Sequence, residues 1–182
     1  MTSVTTKTGD KGRTSLLFSR RTSKDDCRIV ACGEVDELSA ALGLVKAHLK
    51  QSEFIEKLTI IQNALIALMG ELATLPEDGN QYMEAKFDKL TEADTAKLEQ
   101  WIDKLELAGL SFKGWALPGG SVPSAYLDFA RTVCRRAERS VVVILKNSTL
   151  EGPEAVLYLN RLSDFLWLAA RSIDQTPNDQ LA

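Results

Sequence analysis

Histidine is almost missing from this chain: His48 stands alone in 182 residues. That scarcity argues against a metal centre built on imidazoles and against catalysis through a histidine-based triad. Cysteine is also sparse. Cys27, Cys32 and Cys134 are odd in number and show no CxxC spacing, so reduced thiols in a cytoplasmic protein are expected rather than a disulfide framework. Apolar runs are too short and interrupted to span a bilayer. The opening "MTSVTTKTGDKGRT" has no apolar stretch of the signal-peptide kind. Positive charge is not in excess either. A formal net charge of −3 argues against general binding to nucleic acid or to an anionic membrane. Internal repeats and low-complexity tracts are absent, and no series of alternating strands is evident, although "TSLLF" reads as a short extended piece.

What is present is an ordinary globular balance, 45% hydrophobic and 26% charged, in a length that suits one domain spanning residues 1–182. Five amphipathic helices account for most of it. The first is expected from about Arg28 to Leu49, the second from Ser52 to Thr74, where Pro76, Asp78, Gly79 and Asn80 end it. The third opens on Thr91, with Asp94 three residues on, and stops near Gly109. The fourth follows "PGGS", with Ser121 as N-cap and Pro123 in the first turn, and continues to about Lys146. The fifth runs from near Pro153 to Asp174. The expected architecture is all-α, an up-and-down bundle over residues 28–174, with a polar segment at 1–27, a Gly/Pro loop at 110–120 and a flexible tail at 175–182.

The fourth helix carries the most unusual pattern, "RTVCRRAERS". Stepping about 100° per residue places Arg131, Arg135 and Arg139 in one row within about 80°, with Arg136 about 60° beyond. Like charges four apart destabilise a helix slightly, so the row calls for compensation. Asp128 and Glu138 could pair locally on a solvated face. Alternatively the row meets a polyanion, because guanidinium forks match phosphate oxygens.

Three other features bear on that choice. In the fifth helix Asn160, Asp164, Trp167 and Arg171 share one side of an otherwise apolar segment, either to bind a ligand or to bridge to the arginines. Asp36 in "GEVDEL" is a plausible counterion for an arginine on a neighbouring helix or subunit, or a solvated charge. In "TKTGDKGRTS" two glycines lie among cations and hydroxyls; such a backbone can cradle phosphate, although the GxxxxGK[ST] spacing is absent. Lys24 adds a cation just before the first helix.

"TKTGDKGRTSLLF", "SKDD", "GEVDELSAALG", "LPGGS", "ARTVCRRAER" and "YLNRLSDFLWLAAR" occur in this order, and together they resemble the PduO-type ATP:cob(I)alamin adenosyltransferases from about Thr6 to Arg171. The resemblance implies a five-helix, ferritin-like bundle assembled as a homotrimer, with ATP at the subunit interface. It implies transfer of the 5′-deoxyadenosyl group of ATP to cob(I)alamin, giving adenosylcobalamin and triphosphate, with Mg²⁺ held mainly by the ATP phosphates rather than by side chains. Thr6, Lys7, Thr8, Gly9, Asp10, Lys11, Gly12, Arg13, Thr14 and Ser15 match the phosphate loop. Lys24, Arg131, Arg135, Arg136, Glu138, Arg139 and Asn160 match ATP-contacting positions. Asp36 and Arg131 match a pair that forms a salt bridge across the interface and shapes the active site.

Two positions depart from the family pattern. Trp115 stands where Phe is common; the resemblance implies that this aromatic presses on the lower face of the corrin, and the alternative is an ordinary loop aromatic capping the bundle end. Ser19 stands where many relatives have Gly. A flavin reductase and an adenosylcobalamin-dependent enzyme are the partners the resemblance suggests. The competing readings are a carrier or sensor of adenosylcobalamin with little catalysis, and a nucleotide-binding structural oligomer. A nucleic-acid binder is disfavoured by the acidic balance.

Overall fold

The computed structural model describes residues 5, 7–110, 115–147 and 154–175. It contains α1 (Cys27–His48), α2 (Ser52–Leu72), α3 (Gly79–Glu84), α4 (Glu92–Leu107), α5 (Val122–Asn147) and α6 (Glu154–Gln175), preceded by strands β1 (Arg13–Ser15) and β2 (Arg21–Ser23). The five long helices are those expected, within a few residues at each end. Both start signals operate: Thr91 and Asp94 form a reciprocal capping box at α4, and the Ser121 hydroxyl accepts the Ser124 N–H at 3.3 Å at the start of α5.

The short helix α3 and the pairing of β1 with β2 were not expected, although "TSLLF" was read as a short extended piece and β1 overlaps its start. The short helix α3 occupies the region read as a break, because Pro76 opens a 3₁₀ turn that runs on into Gly79. In the polar segment, β1 and β2 pair antiparallel, with Thr14 opposite Thr22. The three-residue strands are too short to show an alternating pattern in sequence. The all-α expectation therefore holds for the bundle and needs correction for residues 13–23. The end of α6 includes Gln175; the remainder of the expected tail, 176–182, lies outside the described residues, as does Thr6.

Packing follows the apolar stripes. On α1, Ala31, Val35, Leu38, Leu42 and Val45 recur every three or four residues and are buried; Leu58, Ile61, Leu65, Leu68 and Leu72 do the same on α2. α5 packs on α1 and α6, α2 on α1, and α4 on α6, so the spatial order is α2–α1–α5–α6–α4. α6 is buried most extensively, through Tyr158, Leu159, Leu162, Phe165, Leu166, Ala169 and Ile173. Each such large side chain stabilises the fold by roughly 1.5–3 kcal/mol through burial. Among the described residues no single helix is long and apolar enough to cross a membrane. The three cysteines are free, and burial pushes the Cys32 thiol up to about 11 and the Cys134 thiol higher still, so neither is a ready nucleophile.

Candidate functional site

The N-terminal segment is a fixed hairpin. The Gly12 N–H donates to Gly9 O (3.1 Å), and the Lys24 N–H donates to Gly12 O (2.9 Å), which brings the far end of the segment back onto its first turn. Arg21 donates to Thr8 O (3.0 Å) and Ser15 Oγ (3.2 Å). Gly9 is pressed by Lys24: a Cβ there would meet Lys24 Cε and Nζ at 3.3 Å. The loop thus gathers Lys7, Lys11, Arg13, Arg21 and Lys24, all exposed, around backbone that is itself pinned.

Three anchors hold the hairpin to the bundle. Leu16 is buried, the Leu17 N–H donates to Ala73 O (2.9 Å), and Arg20 forks onto Asp78 (2.8 and 2.6 Å). The Arg20 guanidinium holds the Asp78 carboxyl below the usual carboxylate range. Beneath them the buried Arg28 donates to Leu72 O (3.0 Å) and Thr74 O (2.9 Å), satisfying carbonyls at the C-terminal end of α2. Phe18 and Ser19 turn the chain between the strands at φ +52° and +61°. Ser19 therefore adopts the left-handed conformation that glycine takes without strain.

The arginine row on α5 divides by partner. Arg131 donates through Nε to Asp128 (3.3 Å). Arg136 crosses to α1, where it makes a close pair with Glu37 and lies 3.7 Å from Glu34, and these carboxylates raise its pKa. Arg135 and Arg139 are exposed and pair with no carboxylate among the described residues. The alternative of a solvated face neutralised by Asp128 and Glu138 is met only in part. Asp128 does pair with Arg131, but Glu138 accepts from Asn160 of α6 instead (3.3 Å). Asp36 is exposed on α1 and has no partner among the described residues.

The polar side of α6 bridges to α5, through acids rather than through the arginines. Arg171, 4% exposed, donates to Asp128 (2.5 Å), while Asn160 meets Glu138 and also accepts from Arg161 (3.1 Å). Sequence reasoning identified Arg171 and Asp128 separately but missed the pair. The signal was available in Arg171, which follows the apolar run "FLWLAA", since a buried guanidinium needs a carboxylate. Arg20, Arg28 and Asp78 were missed altogether; nothing in their local sequence distinguishes them from solvated charges.

A cleft of about 590 Å³ opens where the loop before α5 meets these helices, lined by Trp115, Ala116, Leu117, Pro118, Asp128, Arg131 and Trp167. Trp115 is 96% exposed and Leu117 83%. Neither caps the bundle within the chain; both present apolar surface outward beside a cation. A second groove of about 510 Å³ between α4 and α6 is rich in carboxylates, including Glu99, Asp103, Glu106 and Asp164, and would repel an anion. Among the described residues no three His, Cys, Asp or Glu side chains are placed to hold a metal ion. His48 is an exposed residue whose ring lies tilted against Tyr126 (5.0 Å between centroids).

A cationic, backbone-built loop, a helix with two arginines that meet no carboxylate among the described residues and an apolar-lined cleft beside a third define a class: a helical-bundle protein equipped for a phosphorylated ligand together with a large, partly apolar one. The chain belongs to the cobalamin adenosyltransferase family, whose profile matches residues 4–173. It is 41% identical to the corrinoid adenosyltransferase of Bacillus subtilis, over 93% of this chain and 85% of that one. It is 38% identical to the corrinoid adenosyltransferase of Citrobacter freundii, over 96% and 97%. Its fold superposes with a TM-score of 0.86 on a variant PduO-type ATP:corrinoid adenosyltransferase from Lactobacillus reuteri complexed with cobalamin and ATP, at 33% identity over 94% of this chain and 91% of that one.

Proposed function

We propose that this protein transfers the 5′-deoxyadenosyl group of ATP to cob(I)alamin, releasing triphosphate. The observation that carries this reading is the exposed pair Arg135 and Arg139, without carboxylate partners among the described residues, on a helix that also borders the Trp115 cleft through Arg131. Co(I) is a strong nucleophile and attacks the ribose C5′. The C5′–O bond breaks, and its electron pair leaves with the triphosphate. Charge therefore builds on the leaving phosphate chain, where fixed guanidinium groups are most effective. No side chain needs to take a proton, which suits a protein with one exposed histidine. Mg²⁺ accompanying the ATP would supply further neutralisation of that charge. The remaining contribution is alignment of C5′ with cobalt.

Residues 7–15 and Lys24 are assigned to the phosphates through their backbone N–H groups and cations. Arg135, Arg136, Arg139, Glu138 and Asn160 are assigned to ATP. Arg136 would remain tied to Glu37, and Asn160 would hold Glu138 in place. Trp115, with Leu117 and Trp167, is assigned to the corrin face. We place the active site between copies of the chain in a homotrimer. The hairpin is anchored at the end of α2, whereas the arginines stand on α5, and Asp36 has no cation partner among the described residues. Exposed apolar residues on α1 (Val30, Leu44) and α5 (Phe129, Val143) supply surface for that contact. Arg131 would then meet Asp36 of a neighbouring copy. The chain is treated as one domain, in the cytoplasm, receiving reduced corrinoid from a flavin reductase and passing product to an adenosylcobalamin-dependent enzyme.

The test is an anaerobic assay with chemically generated cob(I)alamin, ATP and Mg²⁺, following Co(I) absorbance and triphosphate together. One triphosphate per corrinoid consumed is expected. ATP binding without turnover would move the assignment to a carrier or sensor.

A further inference from the structure

One ion pair in the site has no role in the proposed chemistry. Arg171 and Asp128 are 4% and 3% exposed, and their 2.5 Å contact joins α6 to α5 directly behind the cleft. Burying two charges is expensive, and a well-packed apolar pair would often be no less stable. What the pair does is visible in how Asp128 divides its oxygens. Arg171 Nη2 takes Oδ2, and Arg131 reaches Oδ1 through Nε alone, at 3.3 Å. Neither Nη group of Arg131 has a hydrogen-bond partner among the described residues, and Arg131 lines the cleft.

We propose that Arg171 is a positioning residue that keeps the two Nη groups of Arg131 available to an anion entering from outside the chain. A buried carboxylate with a single guanidinium partner draws it into a two-bond fork, because both its oxygens need donors. With Arg171 in place, Oδ2 is already satisfied and the negative charge of Asp128 is offset, so Arg131 is held by one bond and still points its donors outward. Arg171 also lies 3.5 Å from Asp174, whose carboxylate would stand 2.5 Å from a Cβ on Gly120 and which accepts from Ser121 Oγ at 3.3 Å. The same guanidinium is thereby linked to the loop that carries Trp115, and both walls of the cleft are referenced to one buried group. The recipient of the free donors is an oxyanion: a phosphate of ATP or the carboxylate of Asp36 on a neighbouring copy. The inference rests on the function proposed above.

The experiment compares Arg171→Met, Arg171→Lys and the double variant Arg171→Met/Asp128→Asn with the wild type. ATP dissociation constants would be measured by calorimetry, alongside KM and kcat. Arg171→Met should raise the ATP Kd and KM about tenfold with a smaller change in kcat, because Asp128 then captures Arg131. Neutralising Asp128 in the same chain should return Kd most of the way, and Arg171→Lys should stay near wild type. A purely structural role predicts the reverse, a double variant no better than the single. That result, or an unchanged Kd in a folded Arg171→Met protein, overturns the inference. If Arg171→Met does not fold, the Lys and double variants carry the test: an ATP Kd in the double variant raised as far as in Arg131→Ala is the overturning result. Repeating the series in an Asp36→Asn background separates the recipients. An effect that persists identifies phosphate, one that vanishes identifies the neighbouring carboxylate, and both support the positioning role. A wild type that binds no ATP would instead remove the proposed function.

Discussion

Arg20 and Asp78 are 58 residues apart in sequence and joined by two hydrogen bonds of 2.8 and 2.6 Å. This fork is the only ion pair among the described residues that ties the cationic hairpin to the helical bundle. It acts where Leu17 also bonds Ala73, so the position of the loop depends on a small number of contacts at the end of α2.

Breaking the fork should loosen the loop more than the fold. Asp78→Asn is expected to weaken ATP binding about tenfold while the melting temperature changes little, because the buried bundle is untouched. Calorimetric titration beside a thermal melt checks this. Unchanged ATP affinity would mean that the hairpin is held by Leu16 and Leu17 alone.

The same pair gives a pH dependence of known sign. Arg20 lowers the pKa of Asp78 in the folded protein, so its contribution is fully present above the unfolded value of about 3.9 and is lost as pH falls through the lower folded value. The protection of amides 13–23, measured as exchange relative to the intrinsic rate at each pH, should therefore be high at neutral pH and fall below about pH 4, before the bundle opens. Protection equally low at pH 7 would contradict the docking.

Arg135→Ala should lower turnover by about 10²–10³-fold, since one fixed donor at a developing charge contributes on that scale. Its side chain is exposed, so the thermal midpoint should not move. Asp36→Asn should also cause a large activity loss by leaving Arg131 without its intersubunit partner. Near-wild-type rates in both variants would show that the assigned cation site is elsewhere.

Trp115 is 96% exposed in the single chain, and Trp115→Ala should therefore leave stability unaltered while raising the corrinoid Kd by about tenfold or more. A loss of stability comparable to a core truncation would assign Trp115 to packing. For contrast, Phe165, fully buried and 5.6 Å from Trp101 between ring centroids, should cost about 3–5 kcal/mol as Phe165→Ala.

Ser19→Gly is expected to stabilise the hairpin by about 0.5–1 kcal/mol, because the left-handed backbone strains a residue with a Cβ. Chemical denaturation would detect it. A loss of stability would mean that the entropy of the added glycine outweighs the relieved strain.

The helices, their caps and their buried faces were legible in the sequence, because a 3.6-residue apolar period and the signals at Thr91 and Ser121 are local properties of the chain. The arginine row and the glycine-containing loop were legible as chemistry for the same reason: residue type and spacing state which donors are available. Which arginine remains free was not. Nothing in the spacing of Arg131, Arg135, Arg136 and Arg139 states which of them finds a carboxylate in its own chain, and only the packing of α1 and α6 against α5 gives Arg136 to Glu37, gives Asp128 to Arg171 and leaves Arg135 and Arg139 without a carboxylate partner among the described residues. The hairpin and its anchor on Asp78 were likewise decided in three dimensions. Three-residue strands carry too little pattern to be read, and a salt bridge between distant residues depends on a separation that the linear chain does not encode locally.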